Sequence, residues 1–148
     1  MRSTDKRSLD EFARLLDRRL AGCRGFDCLL TSDEELRRLN REFLQRDYPT
    51  DVLSFSSGSK SGWLGDLAIS VERAKAQARE FGHSLLDEIR ILLLHGVLHL
   101  MGLDHERDNG RMLRVERKWR AEFDLPETLI SRSLPPRASR GRRPKEMQ

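Results

Sequence analysis

His95-Gly96-Val97-Leu98-His99-Leu100-Met101-Gly102-Leu103-Asp104-His105 is the segment that decides how this sequence is interpreted, because it carries both an apolar helical pattern and three histidines. The apolar run that leads into it predicts a largely buried helix over 84–101, with Ser84 as N-cap and Gly102 as stop signal. The chain has four histidines in all. The segment therefore sets the candidate chemistry as well as the fold.

The histidine spacing predicts a metal site. On a helix, His95 and His99 are separated by about 6 Å along the axis, so both imidazoles can converge on one ion. Gly102 then lets the chain fold back, and His105 can arrive as a third ligand. Three neutral nitrogens leave a fourth position open, as in catalytic rather than structural zinc sites. The alternative is that these are ordinary helix-surface or core histidines, the interpretation we adopt for His83.

Two neighbouring residues bear on the chemistry. Zinc peptidases with an H-E-x-x-H helix carry a glutamate base after the first ligand, whereas this chain has Gly96. A peptidase mechanism would therefore lack its base. Asp104 is the weak candidate for a catalytic role: it could orient a histidine through its free ring N–H, cap the following turn, or act as a general base.

Around this segment, hydrophobic periodicity and capping signals place the other elements. Helices are predicted over 9–21, 71–81, 84–101 and 108–123. A further helix is predicted from the capping box at Ser32 to a stop before Pro49. Strands are predicted over 26–31, 51–55 and 64–71, and either a hairpin or a crossover could join the last two. Few strands among several helices predict an α+β layer with the 84–101 helix packed centrally against a small sheet.

Composition and charge suggest one domain with a separate tail. The chain has 148 residues and a formal charge of +4, and six of its basic residues against two acidic ones lie from Leu125 onward. Residues 1–124 contain 22 basic and 22 acidic residues, so their formal net charge is zero. We expect 1–124 to form a single metal-dependent hydrolase domain and 125–148 to be a disordered basic tail.

The sequence offers no signal for a membrane or for disulfide bonds. Its longest apolar run is far shorter than the ~20 residues of a membrane helix, and its N-terminal residues lack the apolar core of a signal peptide. Cys23 and Cys28, the only two cysteines, are interpreted as reduced thiols. We expect a cytoplasmic protein.

Several ordered motifs resemble the YbeY family of bacterial single-strand-specific endoribonucleases. The similarity runs from about Leu39 to Glu116. The matching motifs are Leu39-Asn40, Asp47-x-Pro49-Thr50-Asp51-Val52-Leu53-Ser54-Phe55, Leu64-Gly65-Asp66 with Ile69-Ser70, Gly82-His83-Ser84 and the 95–105 segment.

The resemblance implies a fold, a cofactor and partners. It implies an α+β fold with a small mixed sheet, which we expect to be four-stranded and packed against several helices, with a central metal-binding helix. It also implies one divalent ion, expected to be Zn²⁺, on His95, His99 and His105, although imidazole sites accept nickel, copper and iron as well. The implied substrate is ribosomal RNA, cleaved during maturation of the small-subunit RNA 3′ end and ribosome quality control. Implied partners are the ribosome or small-subunit proteins.

One position departs from the family pattern. After the aromatic residue represented by Phe43, the family often has an arginine regarded as important for activity, and this chain has Leu44. Leucine cannot replace a guanidinium that contacts phosphate. Arg41 and Arg46 are therefore weak candidates for substrate binding, with a solvated helix face as the alternative.

Two other functions compete with the endoribonuclease hypothesis. A zinc hydrolase of another substrate class is disfavoured by Gly96. A non-enzymatic ribosome-associated factor with a structural metal is favoured by Leu44 and disfavoured by the open fourth coordination position.

Overall fold

The computed structural model describes residues 1–44, 50–103 and 109–126. In chain order, the elements are α1 (Ser3–Arg19), β1 (Phe26–Thr31), α2 (Asp33–Leu44), β2 (Val52–Ser56), β3 (Gly65–Ser70), α3 (Val71–Phe81), α4 (Leu85–Leu100) and α5 (Arg111–Glu122). This confirms the α+β class. Within these three ranges, no helix is both long and apolar enough to cross a membrane.

Capping chemistry explains where the helices begin. The Ser70 hydroxyl accepts a hydrogen bond from the Arg73 amide (3.1 Å) at the start of α3, and Ser84 likewise accepts from the Asp87 amide (3.0 Å) at the start of α4. The predicted start of α1 at residue 9 was wrong. The Asp5 carboxylate accepts from the Arg2 amide (3.1 Å), so α1 begins at Ser3, and Ser8, the residue before the predicted start, lies inside the helix.

The sheet is mixed, with β3 in the middle. Its strand order is β1-β3-β2: β1 pairs in parallel with β3 (Phe26 opposite Gly65), and β2 pairs antiparallel with β3 (Val52 opposite Ile69). The connection that the sequence left open is therefore a hairpin. The described residues form three strands, so the four-stranded sheet is not confirmed, in keeping with the three strand patterns in the sequence.

The two faces of the sheet are covered differently. Side chains alternate along a strand, and Val52, Leu67 and Ile69 join the main core formed with α1, α4 and α5. Leu53 and Ala68 point to the opposite face, where α2 covers them through Leu36. Helix α4 is almost entirely buried and contacts α1, α3, α5, β2 and β3. It is thus the central helix, while its binding of a metal stays a prediction.

Candidate metal centre

Helix α4 brings two of the predicted ligands together. The rings of His95 and His99 have centroids 4.7 Å apart and planes inclined by 75°. His95 is fully buried, whereas His99 is partly exposed, and the Nε2 atoms of both are buried. The pair therefore combines a fully buried imidazole with a partly exposed one, and the Nε2 atoms of both face the interior.

The turn after α4 reverses the chain directly beyond the second histidine. Gly102 has a φ of 99°, in the region that favours glycine, and its amide donates to the His99 carbonyl (2.9 Å). The Leu103 amide donates to the Leu98 carbonyl (3.1 Å), and both leucines belong to the main core. This is the Schellman pattern of helix ends. The predicted third ligand, His105, and its neighbour Asp104 follow this turn but lie outside the described residues.

Helix α5 contributes a residue that the sequence analysis missed. A carboxylate oxygen of Glu116 lies 3.2 Å from Nδ1 of His95, and both side chains have no solvent exposure. Glu116 lies one turn beyond the buried Met112, on the core-facing side of an otherwise strongly charged helix. The available signal was this placement, since an acidic residue on the apolar face of a helix seldom lacks a partner.

The donor set fits a zinc ion in part. Two imidazoles lie on successive turns, and Nδ1 of the inner one contacts a carboxylate, a common arrangement for a metal ligand that binds through Nε2. In the described part of the chain, no group of three His, Cys, Asp or Glu side chains is close enough to hold a metal. His105, the third ligand that the sequence predicts, lies outside the described residues and stays a prediction.

The packing of Gly96 explains why no glutamate follows the first histidine. A Cβ built at Gly96 would lie 2.7 Å from Cδ2 and 2.9 Å from Cδ1 of Leu67. Leu67 is itself buried at the centre of the sheet. Because α4 approaches β3 so closely here, this position has no room for the catalytic base of H-E-x-x-H peptidases.

Of the two candidate substrate-binding residues, the structure describes Arg41. It is exposed on α2, which packs on the opposite face of the sheet from α4. Arg46 lies outside the described residues. Leu44, at the position of the family's arginine, packs against the cluster of Leu36, Leu53 and Ala68. In this chain the position thus contributes to the apolar packing under the sheet.

Comparison with known proteins gives a consistent family. The family model described as endoribonuclease YbeY matches residues 5–124. The chain is 58% identical over 125 residues to the endoribonuclease YbeY of Solibacter usitatus (strain Ellin6076), covering 84% of each protein. It is 50% identical over 129 residues to that of Koribacter versatilis (strain Ellin345), covering 86% of this chain and 84% of the relative.

A solved structure shares the fold. The solution structure of TM1509 from Thermotoga maritima superimposes with a TM-score of 0.52 at 26% identity, covering 82% of each chain.

Proposed function

The chain belongs to the YbeY family of endoribonucleases, and from this premise we propose that it is a metal-dependent enzyme that cleaves single-stranded segments of ribosomal RNA. The observation that carries the proposal is the His95–His99 pair at the end of α4, whose rings are 4.7 Å apart. The proposed site holds one divalent ion, Zn²⁺ by preference, on His95, His99 and His105. The proposed role is maturation of the small-subunit RNA 3′ end, in contact with the ribosome or small-subunit proteins in the cytoplasm.

Residues of this chain suit the task of holding a phosphodiester near the ion. When bound, the ion would polarise a phosphoryl oxygen and lower the pKa of a bound water. Burial of His95 limits access of bulk water, and we propose that substrate approaches from the partly exposed side of His99. Ser54 lies opposite Leu67 in the sheet register, on the face that carries α4, and is partly exposed.

The preference for single strands is supported by an aromatic pair beside the edge strand β2. Phe43 is 64% exposed, and its ring meets that of Phe55 edge to face with centroids 6.3 Å apart. Base stacking on aromatic side chains requires unstacked bases, which duplex RNA does not offer. An RNA strand that crosses β2 could place a phosphate near the histidines and a base on Phe43.

The decisive experiment measures cleavage of a labelled RNA that has both a hairpin and single-stranded tails. We expect cleavage in the tails, loss with chelator and recovery with Zn²⁺. His99→Gln should lower cleavage by more than about 100-fold, because outer partners of metal ligands alone account for about 10–100-fold. His83→Gln, a histidine outside the site, is the matched control and should retain activity. Equal cleavage by wild type and His99→Gln would contradict the proposal.

A second assay addresses strand preference. Phe43→Leu keeps an apolar side chain but removes the stacking surface, so we expect the KM for single-stranded RNA to rise several-fold with kcat unchanged. Arg41→Gln tests the predicted phosphate contact in the same assay. Cleavage of duplex and single strands at equal rates by the wild type would overturn the single-strand assignment while leaving the metal site intact.

The non-enzymatic alternative predicts a different response to metal removal. If the ion is structural, His99→Gln should lose helical circular dichroism together with RNA binding. If the ion is catalytic, the variant should stay folded and bind RNA without cleaving it.

A further inference from the structure

We propose that Glu116 is a positioning residue for His95: it holds the imidazole with its proton on Nδ1, so that Nε2 is the atom presented to the metal. This inference rests on the proposed metal site. It concerns a residue on α5 that touches neither the RNA nor the ion in the arrangement proposed.

The geometry of the contact carries the first step. Oε1 of Glu116 and Nδ1 of His95 are 3.2 Å apart, and both side chains are fully buried. An ionised carboxylate only accepts hydrogen bonds, so it selects the ring form that has a proton on Nδ1. The lone pair of the neutral ring then resides on Nε2, which lies on the far side of the ring and is buried.

Orientation is the second step. His95 and His99 lie on one helix, so their backbone spacing alone allows several pairs of ring rotations. A contact from a second helix restricts the His95 ring to one of them, with the two planes inclined by 75°. Carboxylate partners of this kind both fix the ring and raise the basicity of the ligating nitrogen, and both effects increase metal affinity.

Charge provides the third step. A divalent ion beside two neutral imidazoles brings a net charge of about +2 into the protein, and a buried charge is stable only with compensating partners. Three carboxylates are buried among the described residues: Asp51, Glu88 and Glu116. Glu88 contacts His83 and Gln77 between α3 and α4, whereas Glu116 directly contacts the predicted ligand His95.

The test compares Glu116→Gln with Glu88→Gln, a matched control that neutralises the other buried carboxylate in contact with a histidine. Metal-free proteins are titrated with Zn²⁺ in competition with a chromophoric chelator. We expect Glu116→Gln to weaken Zn²⁺ binding by about 10–100-fold and Glu88→Gln to bind Zn²⁺ within about two-fold of the wild type. Glu116→Asp should recover part of the loss, because a carboxylate is restored.

A spectroscopic measurement needs no variant. In the zinc-loaded wild type, ¹⁵N NMR of the histidine rings should show His95 protonated on Nδ1 and bound through Nε2. Binding through Nδ1 would overturn the proposal, even if Glu116→Gln failed to fold.

The outcomes separate this inference from the proposed function. If the wild type binds Zn²⁺ through His95 and His99 but Glu116→Gln binds it equally well, the positioning role is wrong and the metal site stands. If Glu116→Gln lowers only the melting temperature of the metal-free protein, Glu116 is structural and the positioning role is again wrong. If the wild type binds no Zn²⁺, both proposals fail.

Discussion

Gly96 lies where α4 packs closely against β3. Replacing it with alanine has two opposing effects. Alanine favours a helix over glycine by about 0.5–1 kcal/mol, whereas an extra methyl in a packed core costs about 1–3 kcal/mol. Since the added Cβ would lie 2.7 Å from Leu67, we expect the second effect to dominate and Gly96→Ala to lower the free energy of unfolding by about 1 kcal/mol.

A double-mutant cycle checks this explanation. Leu67→Ala removes the obstructing methyl groups, so in that background Gly96→Ala should stabilise the protein by about 0.5–1 kcal/mol through helix propensity. The measurement is urea denaturation followed by circular dichroism. If Gly96→Ala has the same effect in both backgrounds, the contact with Leu67 does not explain the glycine.

The two cysteines should differ sharply in reactivity. Burial, with a smaller contribution from the charge of Asp27, raises the pKa of Cys28 to about 12. At pH 8 only roughly one Cys28 thiol in ten thousand would then be ionised, and the thiolate is the reactive form. Cys23 is exposed. We expect a disulfide reagent to modify one thiol rapidly in the native protein and two after denaturation.

Cys23→Ser supplies the control for that measurement. The native variant should show no fast-reacting thiol at pH 8. A fast reaction in this variant would mean that Cys28 is accessible and ionised, contrary to its position against the main core.

At the level of single residues, the sequence predicted those whose chemistry depends on local spacing. His95 and His99 converge as a four-residue helical separation requires. Glu116 could not be paired with His95, because their contact joins residues 21 apart and depends on how α5 packs on α4. The sequence showed only that Gly96 replaces a glutamate. It could not show why, because the reason is the close packing of β3 against this position.

Among the elements, the α3–α4 hairpin is held by a buried polar cluster. Glu88 accepts hydrogen bonds from Gln77 Nε2 (2.7 Å) and lies 2.6 Å from His83 Nε2. Glu88 is fully buried and His83 nearly so. This placement agrees with the interpretation of His83 as an ordinary core histidine.

Truncating this cluster should be costly. Glu88→Ala removes the buried partner of Gln77 and His83. An unsatisfied buried polar group costs about 1–3 kcal/mol, so for two such groups we expect a loss of about 2–6 kcal/mol in the free energy of unfolding. Glu122→Ala is the matched control: it breaks the Arg19–Glu122 ion pair, whose side chains are 43% and 48% exposed. Such surface pairs contribute less than about 1 kcal/mol. Similar losses for both variants would contradict the role assigned to burial.

Element types were predictable here, and their arrangement was not. Local hydrogen bonds fix where α3 and α4 begin and where α3 ends: Ser70 and Ser84 are N-caps, and Gly82 is the C-cap of α3. The predicted 71–81 helix therefore matches Val71–Phe81. The central position of β3 depends on pairing between β1 and β3, which are far apart in sequence. Periodicity contains no information about such a pairing.

For the molecule as a whole, the distribution of charge matters more than its sum. Residues 1–124 contain 22 basic and 22 acidic residues, so the net +4 resides in the C-terminal segment. An RNA-cleaving protein with a neutral body gains little long-range attraction for phosphate from that body. We therefore expect the C-terminal cations to supply much of the salt-dependent part of RNA binding.

A full-length variant with glutamine at all six C-terminal basic positions tests this expectation against a truncation after Pro126. Ending there retains Leu125, which is buried and whose carbonyl accepts a hydrogen bond from Arg120. Each lost phosphate contact should reduce the slope of log affinity against log salt by about 0.7 for single-stranded RNA. Both variants should therefore bind RNA more weakly at low salt, with a smaller slope and an unchanged kcat.

If the truncation weakens binding but the glutamine variant does not, the segment acts through its length rather than its charge. If neither variant changes the slope, RNA is bound by the neutral body alone. The six positions are Arg132, Arg137, Arg140, Arg142, Arg143 and Lys145.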